Sequence, residues 1–381
     1  MSDSIQLFVP TFRVEECLAE IRECFEKGWT GLGFKTVQFE NAWKAYTGHR
    51  NAHFLASATA GLHLAVHVMK ERYGWRDGDE VISTPITFVS TNHSILYERL
   101  NAIFADVDEY GCLDPDSVEQ RVTSRTRAVI FVGLGGNTGR LPQIIEFCRA
   151  KGLKLILDAA HMAGARLNGS TPDKGIDAVV YSFHAVKNLP TADSGMVCFA
   201  DQELDALVRQ QSWLGIDKDT FTRTLSGGAY KWHYDVPRVG FKSHGNSIMA
   251  GIGLVQLKYL DQDNAYRRQL SAWYDEFLGG TNVIRRVPTA PGCESSRHLY
   301  QVCVPHRDEV FLALNNAGIF PGVHYRTNTD YAMYRHMADD CPNAGAFSKE
   351  VISLPLHLRL QRADVERVSR QLIDIVSDQN P

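Results

Sequence analysis

Apolar positions recur along this chain in two rhythms. Short unbroken runs mark buried strands: AHFLAS (52–57), DEVISTP (79–85), AIFADVD (102–108), RAVIFVG (127–133), LKLILD (153–158), DAVVYSF (177–183) and GMVCFA (195–200). Between them lie longer stretches with helical spacing, such as TAGLHLAVHVMKERYG (59–74), FVSTNHSILYERL (88–100) and LPQIIEFCRAKG (141–152), the last closed by a glycine stop. Alternation of this kind predicts an α/β domain with a mostly parallel sheet. The rhythm changes after residue 240. A long helix is expected over 246–279, then a strand over 298–305 and helices over 307–318 and 362–378. The expected division is a large α/β domain over 1–255 and a smaller C-terminal α+β domain over 256–381.

The length of 381 residues agrees with two domains. Net charge is −4, which does not suggest the basic face that a nucleic-acid or membrane-surface partner would favour, so neither partner is expected. No apolar run approaches the length of a bilayer span, and the N-terminus has no signal-peptide pattern. None of the eight cysteines forms a CxxC pair, and several sit in apolar strand-like runs. They are read as reduced core residues of a cytoplasmic protein, with no disulfide or metal framework.

One lysine departs from the hydropathy pattern. Lys187 in YSFHAVKN follows a buried strand, where an unpaired ammonium is costly. Asp158 ends the strand LKLILD, at the carboxyl edge where α/β sheets bind ligands. SATAGL places Ala58 and Thr59 at a strand-to-helix turn, whose bare N–H groups suit a phosphate. Phe88 in TPITFVST supplies an aromatic face, and Ser182 and His184 flank the lysine. These are the parts needed to hold pyridoxal phosphate: an amine for its aldehyde, a carboxylate for its ring nitrogen, donors for its phosphate and a ring to stack on.

The motifs SFHAVKN, LDAAHMAGA, SATAGL, TPITFVST, GFKSHGNSIMAGIGLVQLKYLD, GVHYR and SLPLH, in this order, resemble the DegT/DnrJ/EryC1/StrS sugar aminotransferases. That family has the fold-type I, aspartate aminotransferase-like architecture. The resemblance implies that Lys187 forms the Schiff base and that Asp158 pairs with the pyridinium. It implies that Phe88 stacks on the ring, that Ala58, Thr59 and Ser182 hold the phosphate and that His161 lies near the phenolic oxygen. Lys242 would reach the partner's phosphate across a homodimer with shared active sites, and His324 and Tyr325 would face the substrate. The implied reaction moves an amino group from an amino acid, L-glutamate in the family, to a keto sugar, nucleotide-linked in the first reading. A non-nucleotide keto sugar or keto-cyclitol, a sugar dehydratase or lyase, and a non-catalytic cofactor-binding regulator stand as alternatives.

Three departures from the family pattern stand out. Ala58 replaces a common glycine, so its φ must be negative. Lys242 replaces a common asparagine, and HYRTNTDY lacks the usual Pro-Leu-His. GLGGNTG (133–139) mimics a dinucleotide fingerprint, but its spacing is one residue too long and a dehydrogenase leaves Lys187 without a role. Its glycines are expected to form a bend beside the cofactor, and His184 to support the strand end.

Overall fold

The computed structural model describes residues 4–217 and 234–378. Its central sheet contains β1 (His53–Leu55), β2 (Glu80–Ser83), β3 (Asn101–Phe104), β4 (Thr126–Val132) and β5 (Lys154–Asp158). A two-residue β6 (Arg166–Leu167) lies outside it, and β7 (Ala178–Ser182) and β8 (Gly195–Phe199) complete it. The order is β1-β8-β7-β5-β4-β2-β3. Neighbours pair in parallel from β7 through β3, and β8 runs antiparallel to both β7 and β1. The inner strands are buried on both faces, which is why Ala128–Val132 and Leu155–Leu157 form unbroken apolar runs rather than alternating ones.

Helices Ala58–Tyr73, Val89–Tyr97, Pro115–Arg121 and Leu141–Lys151 connect successive strands from β1 to β5. Ser57 caps the first, its hydroxyl accepting from Ala60 N at 3.1 Å, and Gly74 ends it in the left-handed conformation. All seven strands anticipated from the hydropathy runs are present, so the fold is α/β with a mostly parallel sheet flanked by helices. Helices Val14–Glu26, Phe34–Thr47, Gln202–Ser212 and Pro342–Glu350 add to the elements read from the sequence.

A second hydrophobic cluster lies around a smaller antiparallel sheet of β9 (Arg285–Arg286), β11 (Tyr300–Cys303) and β12 (Val351–Leu354). The intervening β10 (Cys293–Glu294) pairs with β6. Helices Arg307–Asn316 and Arg362–Asp378 supply Val310, Leu314, Val365, Val368 and Leu372 to this core. The N-terminal segment joins it as well, through a bridge from Ile5 to Ile319. The helix Ser247–Phe277 serves both cores: Ala250 and Leu260 pack in the first, Leu270 and Tyr274 in the second. Residue 255 falls inside this helix.

Candidate active site

A cavity of about 430 Å³ opens at the carboxyl ends of the parallel strands. Of the residues singled out in the sequence, Ala58, Thr59, Phe88, Asp158, His161, Ser182, Lys187, His324 and Tyr325 all line it, as does His184. Lys242 lies outside the cavity of its own chain, with its Nζ 3.7 Å above the Trp213 ring.

Asp158 is 4 % exposed. Thr91 donates to its Oδ2 at 2.7 Å and the Ala160 N–H to its Oδ1 at 3.1 Å, so both oxygens are held in place. Burial pushes its carboxyl above the ordinary value, and the two hydrogen bonds and the nearby Lys187 offset only part of that rise. Lys187 stands on the loop joining β7 to β8. Its N–H closes a turn onto the His184 carbonyl at 2.9 Å. Its neighbour Asn188 pins the loop from below, donating 2.7 Å bonds to Asn264 Oδ1 and the Ser296 carbonyl. Desolvation lowers the Lys187 amine to about 8, with Asp158 pulling weakly the other way. The two groups feel each other's charge yet form no salt bridge among the described residues. Both groups line the same cavity.

The phosphate end is built from backbone. At the start of helix Ala58–Tyr73 the Ala60 and Gly61 N–H groups are taken by Ser57, whereas those of Ala58 and Thr59 have no partner within the helix, and both residues line the cavity. Ala58 is a helical residue and is not among the positive-φ residues, so its replacement of glycine introduces no strain. Gly195 makes this turn possible. A Cβ at 195 would lie 2.5 Å from Ala58 N and 2.6 Å from the Ser57 carbonyl carbon. Ser182, paired with Gly195 across β7 and β8, lies beside the same turn.

Phe88 is the N-cap residue of helix Val89–Tyr97, and its ring is 59 % exposed. It is therefore not a core residue, and its centroid stands 6.3 Å from that of Tyr325. The departing HYRTNTDY segment supports it: Asn328 donates to the Thr87 carbonyl at 2.8 Å and accepts from Asn92 Nδ2 at 2.9 Å.

The glycine-rich GLGGNTG forms a short 3-10 turn, with Gly135 at φ 64°. The Gly135 N–H donates to His161 Nδ1 at 3.1 Å. Burial, with Lys187 and His324 nearby, holds His161 well below the ordinary imidazole value. A neutral ring accepting at Nδ1 carries its proton on Nε2, which donates to the Tyr325 hydroxyl at 3.1 Å. The Tyr325 proton is left free for another acceptor. His324 accepts or donates at Ser353 Oγ, 2.9 Å away, and burial lowers it to about 4.

Residues 12–373 match the model of the DegT/DnrJ/EryC1/StrS aminotransferase family. The chain belongs to this family. It is 32% identical over 374 residues to the dTDP-4-dehydro-2,3,6-trideoxy-D-glucose 4-aminotransferase of Saccharopolyspora spinosa, covering 96% of this chain and 95% of that one. Its fold is similar to the aminotransferase TlmJ from Streptoalloteichus hindustanus, with a TM-score of 0.91, 31% identity and coverage of 99% and 100%. A putative sugar aminotransferase, Spr1654 from Streptococcus pneumoniae, matches in its PLP form with a TM-score of 0.88, 27% identity and coverage of 98% and 99%. That protein also has a PMP form of the same TM-score. This chain is thus an aminotransferase with the fold of pyridoxal-phosphate enzymes.

Several cavity residues of this aminotransferase carry no local sequence signal. Phe8 and His298 stack in the wall at 5.3 Å and 11°, and His298 Nδ1 donates to Asn188 Oδ1 at 3.0 Å. Thr91 could have been found, since it lies one helical turn beyond Phe88. The bond from the Gly135 N–H to His161 has no signal in the spacing of the two residues.

Proposed function

We propose that this aminotransferase carries pyridoxal phosphate on Lys187 and moves an amino group from an amino acid to a keto sugar. The observation that carries the reading is the unpaired Asp158 and Lys187 facing one cavity, flanked by open helix N–H groups. These residues fit the cofactor. Asp158 would hold its ring nitrogen, Lys187 its aldehyde, Ala58, Thr59 and Ser182 its phosphate, and Phe88 one face of its ring. His161, with its Nε2 proton already donated, would act through Tyr325, whose hydroxyl proton remains to meet the phenolic oxygen.

Once bound, the cofactor supplies a carbon that accepts the donor's nitrogen and a ring that stores the electron pair released at the donor Cα. Everything else falls to the chain. Lys187, lowered to about 8, is partly in its amine form near neutral pH and can act as a nucleophile. Displaced by the donor, the same nitrogen takes the proton from the donor Cα and returns it on the other side of the transfer. Asp158 would be kept ionised by a charge-assisted bond to the protonated ring nitrogen of the bound cofactor, and Thr91 holds that carboxylate in place. His324 and the aromatic wall of Phe8 and His298 border the space left for the acceptor.

For the acceptor we favour a nucleotide-linked keto sugar, because a relative of full-length coverage acts on a dTDP-linked one. L-glutamate is the donor expected from the family. We further read the protein as a cytoplasmic homodimer in which Lys242 serves the partner's phosphate. Supporting this are the absence of Lys242 from its own cavity and the mostly buried cysteines, none of which forms a disulfide. No helix among the described residues is long and apolar enough to cross a membrane.

The test is borohydride reduction of the holoenzyme followed by peptide mapping. A pyridoxyl group on Lys187 alone is expected, and a tag on any other residue would overturn the assignment. A screen of keto sugars against the amine-loaded enzyme, read by return of the lysine-linked visible absorbance, then identifies the acceptor. Turnover only with non-nucleotide sugars would replace the nucleotide-linked reading. Absence of any spectral change with every amino donor would favour a regulator.

A further inference from the structure

One cluster of ligand-type side chains plays no part in this chemistry. His63 and His67 lie one turn apart on helix Ala58–Tyr73, so both imidazoles share a face. Glu98 follows directly on helix Val89–Tyr97 as its C-cap residue. Its Oε1 is 2.8 Å from His63 Nε2 and 3.0 Å from His67 Nδ1. The three donor atoms lie within 4.8 Å of one another, the one such trio of His, Cys, Asp or Glu among the described residues. Lys70 Nζ fixes the Glu98 backbone by donating to its carbonyl at 2.5 Å. Phe241 sits edge-on against both rings, at 4.8 Å and 5.1 Å, and Tyr97 lies 5.3 Å from His63.

We propose that His63, His67 and Glu98 form a binding site for a first-row divalent transition ion, with zinc as the ion the donor set suits. Two imidazole nitrogens and one carboxylate oxygen are ordinary zinc ligands, and a fourth position is left for water. Tetrahedral bonds of about 2.0–2.1 Å place donor atoms about 3.3 Å apart. Both Glu98 contacts therefore need to open by a few tenths of an ångström, while the two ring nitrogens, within 4.8 Å of each other, settle to the same spacing by ring rotation. The two rings come from one helix and the carboxylate from the turn that ends the neighbouring helix, where Lys70 anchors its backbone.

Binding is an exchange that balances. In the ion-free protein each ring turns an N–H toward the same carboxylate oxygen. With an ion bound, each neutral ring moves that proton to its other nitrogen and offers the freed lone pair, while the carboxylate stays ionised throughout. Two neutral rings and one carboxylate leave the complex with a net charge of +1. The side chains of His63 and His67 keep 18% and 21% of their surface, so water reaches the ion and softens that charge.

The experiment uses untagged, cofactor-loaded enzyme stripped with EDTA and then titrated with Zn2+ by calorimetry, with metal content read after gel filtration. One ion per chain is expected. Co2+ in its place should give the intense visible bands of a four-coordinate ion. The double variant H63A/H67A should weaken binding by more than about a hundredfold. Glu98→Gln, which keeps the shape and removes the charge, should weaken it by about tenfold or more. Circular dichroism in EDTA checks that each variant is folded, and His67→Gln alone serves if the double variant is not. Wild-type enzyme that takes up no ion at millimolar zinc overturns the proposal. So does a folded variant lacking both histidines that binds with unchanged stoichiometry and affinity.

Discussion

Two carboxylates in this molecule are almost equally removed from water, and their surroundings drive them in opposite directions. Glu40, 7 % exposed, is raised by burial but more than compensated. His53 Nδ1 lies 3.0 Å from its Oε1, the Phe54 N–H donates to the same oxygen at 2.8 Å, and Arg209 donates to Oε2 at 2.8 Å. Its carboxyl ends below the ordinary value. Asp158 has two neutral hydrogen-bond donors and no cation in contact, and ends above it. A buried ion that the chain itself neutralises belongs to the scaffold. A buried ion left without a counter-charge, beside an amine in the same condition, is held ready for something that arrives from outside.

That contrast can be broken experimentally. The largest effect is expected at Lys187: Lys187→Ala should lower transamination by roughly 10²–10⁴-fold or more while the protein remains folded. Asp158→Asn should follow, with a loss of about 10²–10³-fold and little change in stability, measured by initial rates and thermal melts. Glu40→Ala should do the reverse. Arg209 would keep Asp205, but His53 Nδ1 and the Phe54 N–H would lose their buried acceptor, at a cost of about 1–3 kcal/mol of stability, with the rate per folded molecule nearly preserved. If Glu40→Ala melted like the parent protein, the scaffold half of the comparison would be wrong.

The smallest effect concerns the cofactor-free protein. Lys187 has a folded value of about 8 against 10.5 for the free side chain. Between those values the unfolded chain binds the extra proton, so stability attributable to this group rises with pH across that window. Below about pH 8 the folded state holds a poorly solvated charge. Lys187→Met should therefore stabilise the cofactor-free protein at pH 7 by about 1–2 kcal/mol, with the gain shrinking as pH rises toward 10. The rate of cofactor capture by the parent protein should climb through pH 8 and level off above it.

Much of this was legible along the chain, and the exceptions share a cause. The strands of the parallel sheet announce themselves because burial on both faces makes them continuous apolar words. Asp158 and Lys187 stand out because each is a charge at the end of such a word. Helix Phe34–Thr47 gave no clear stripe, because it buries Lys35, Thr36 and Glu40 together with Phe39 and Trp43. Its charges are neutralised by side chains elsewhere: Lys35 meets Glu20 and Glu23 at 2.5 Å, and Glu40 meets Arg209. The supporting residues of the site were silent for the same reason. Asn188 is given its role by Asn264, Ser296 and His298, and Thr91 by Asp158, pairings across long sequence separations that no local pattern carries.

Gly195 deserves a last look for what it denies to anyone redesigning this enzyme. With backbone atoms 2.5–2.8 Å from where a methyl group would stand, even alanine at that position has no side chain to push aside and must displace the main chain itself. Phe8 and His324, which border the space left for the acceptor, are the positions to recarve for new acceptors. The strand edge behind the anion cradle tolerates no such editing, so altered specificity has to be sought on the mouth of the cavity and never on its back wall.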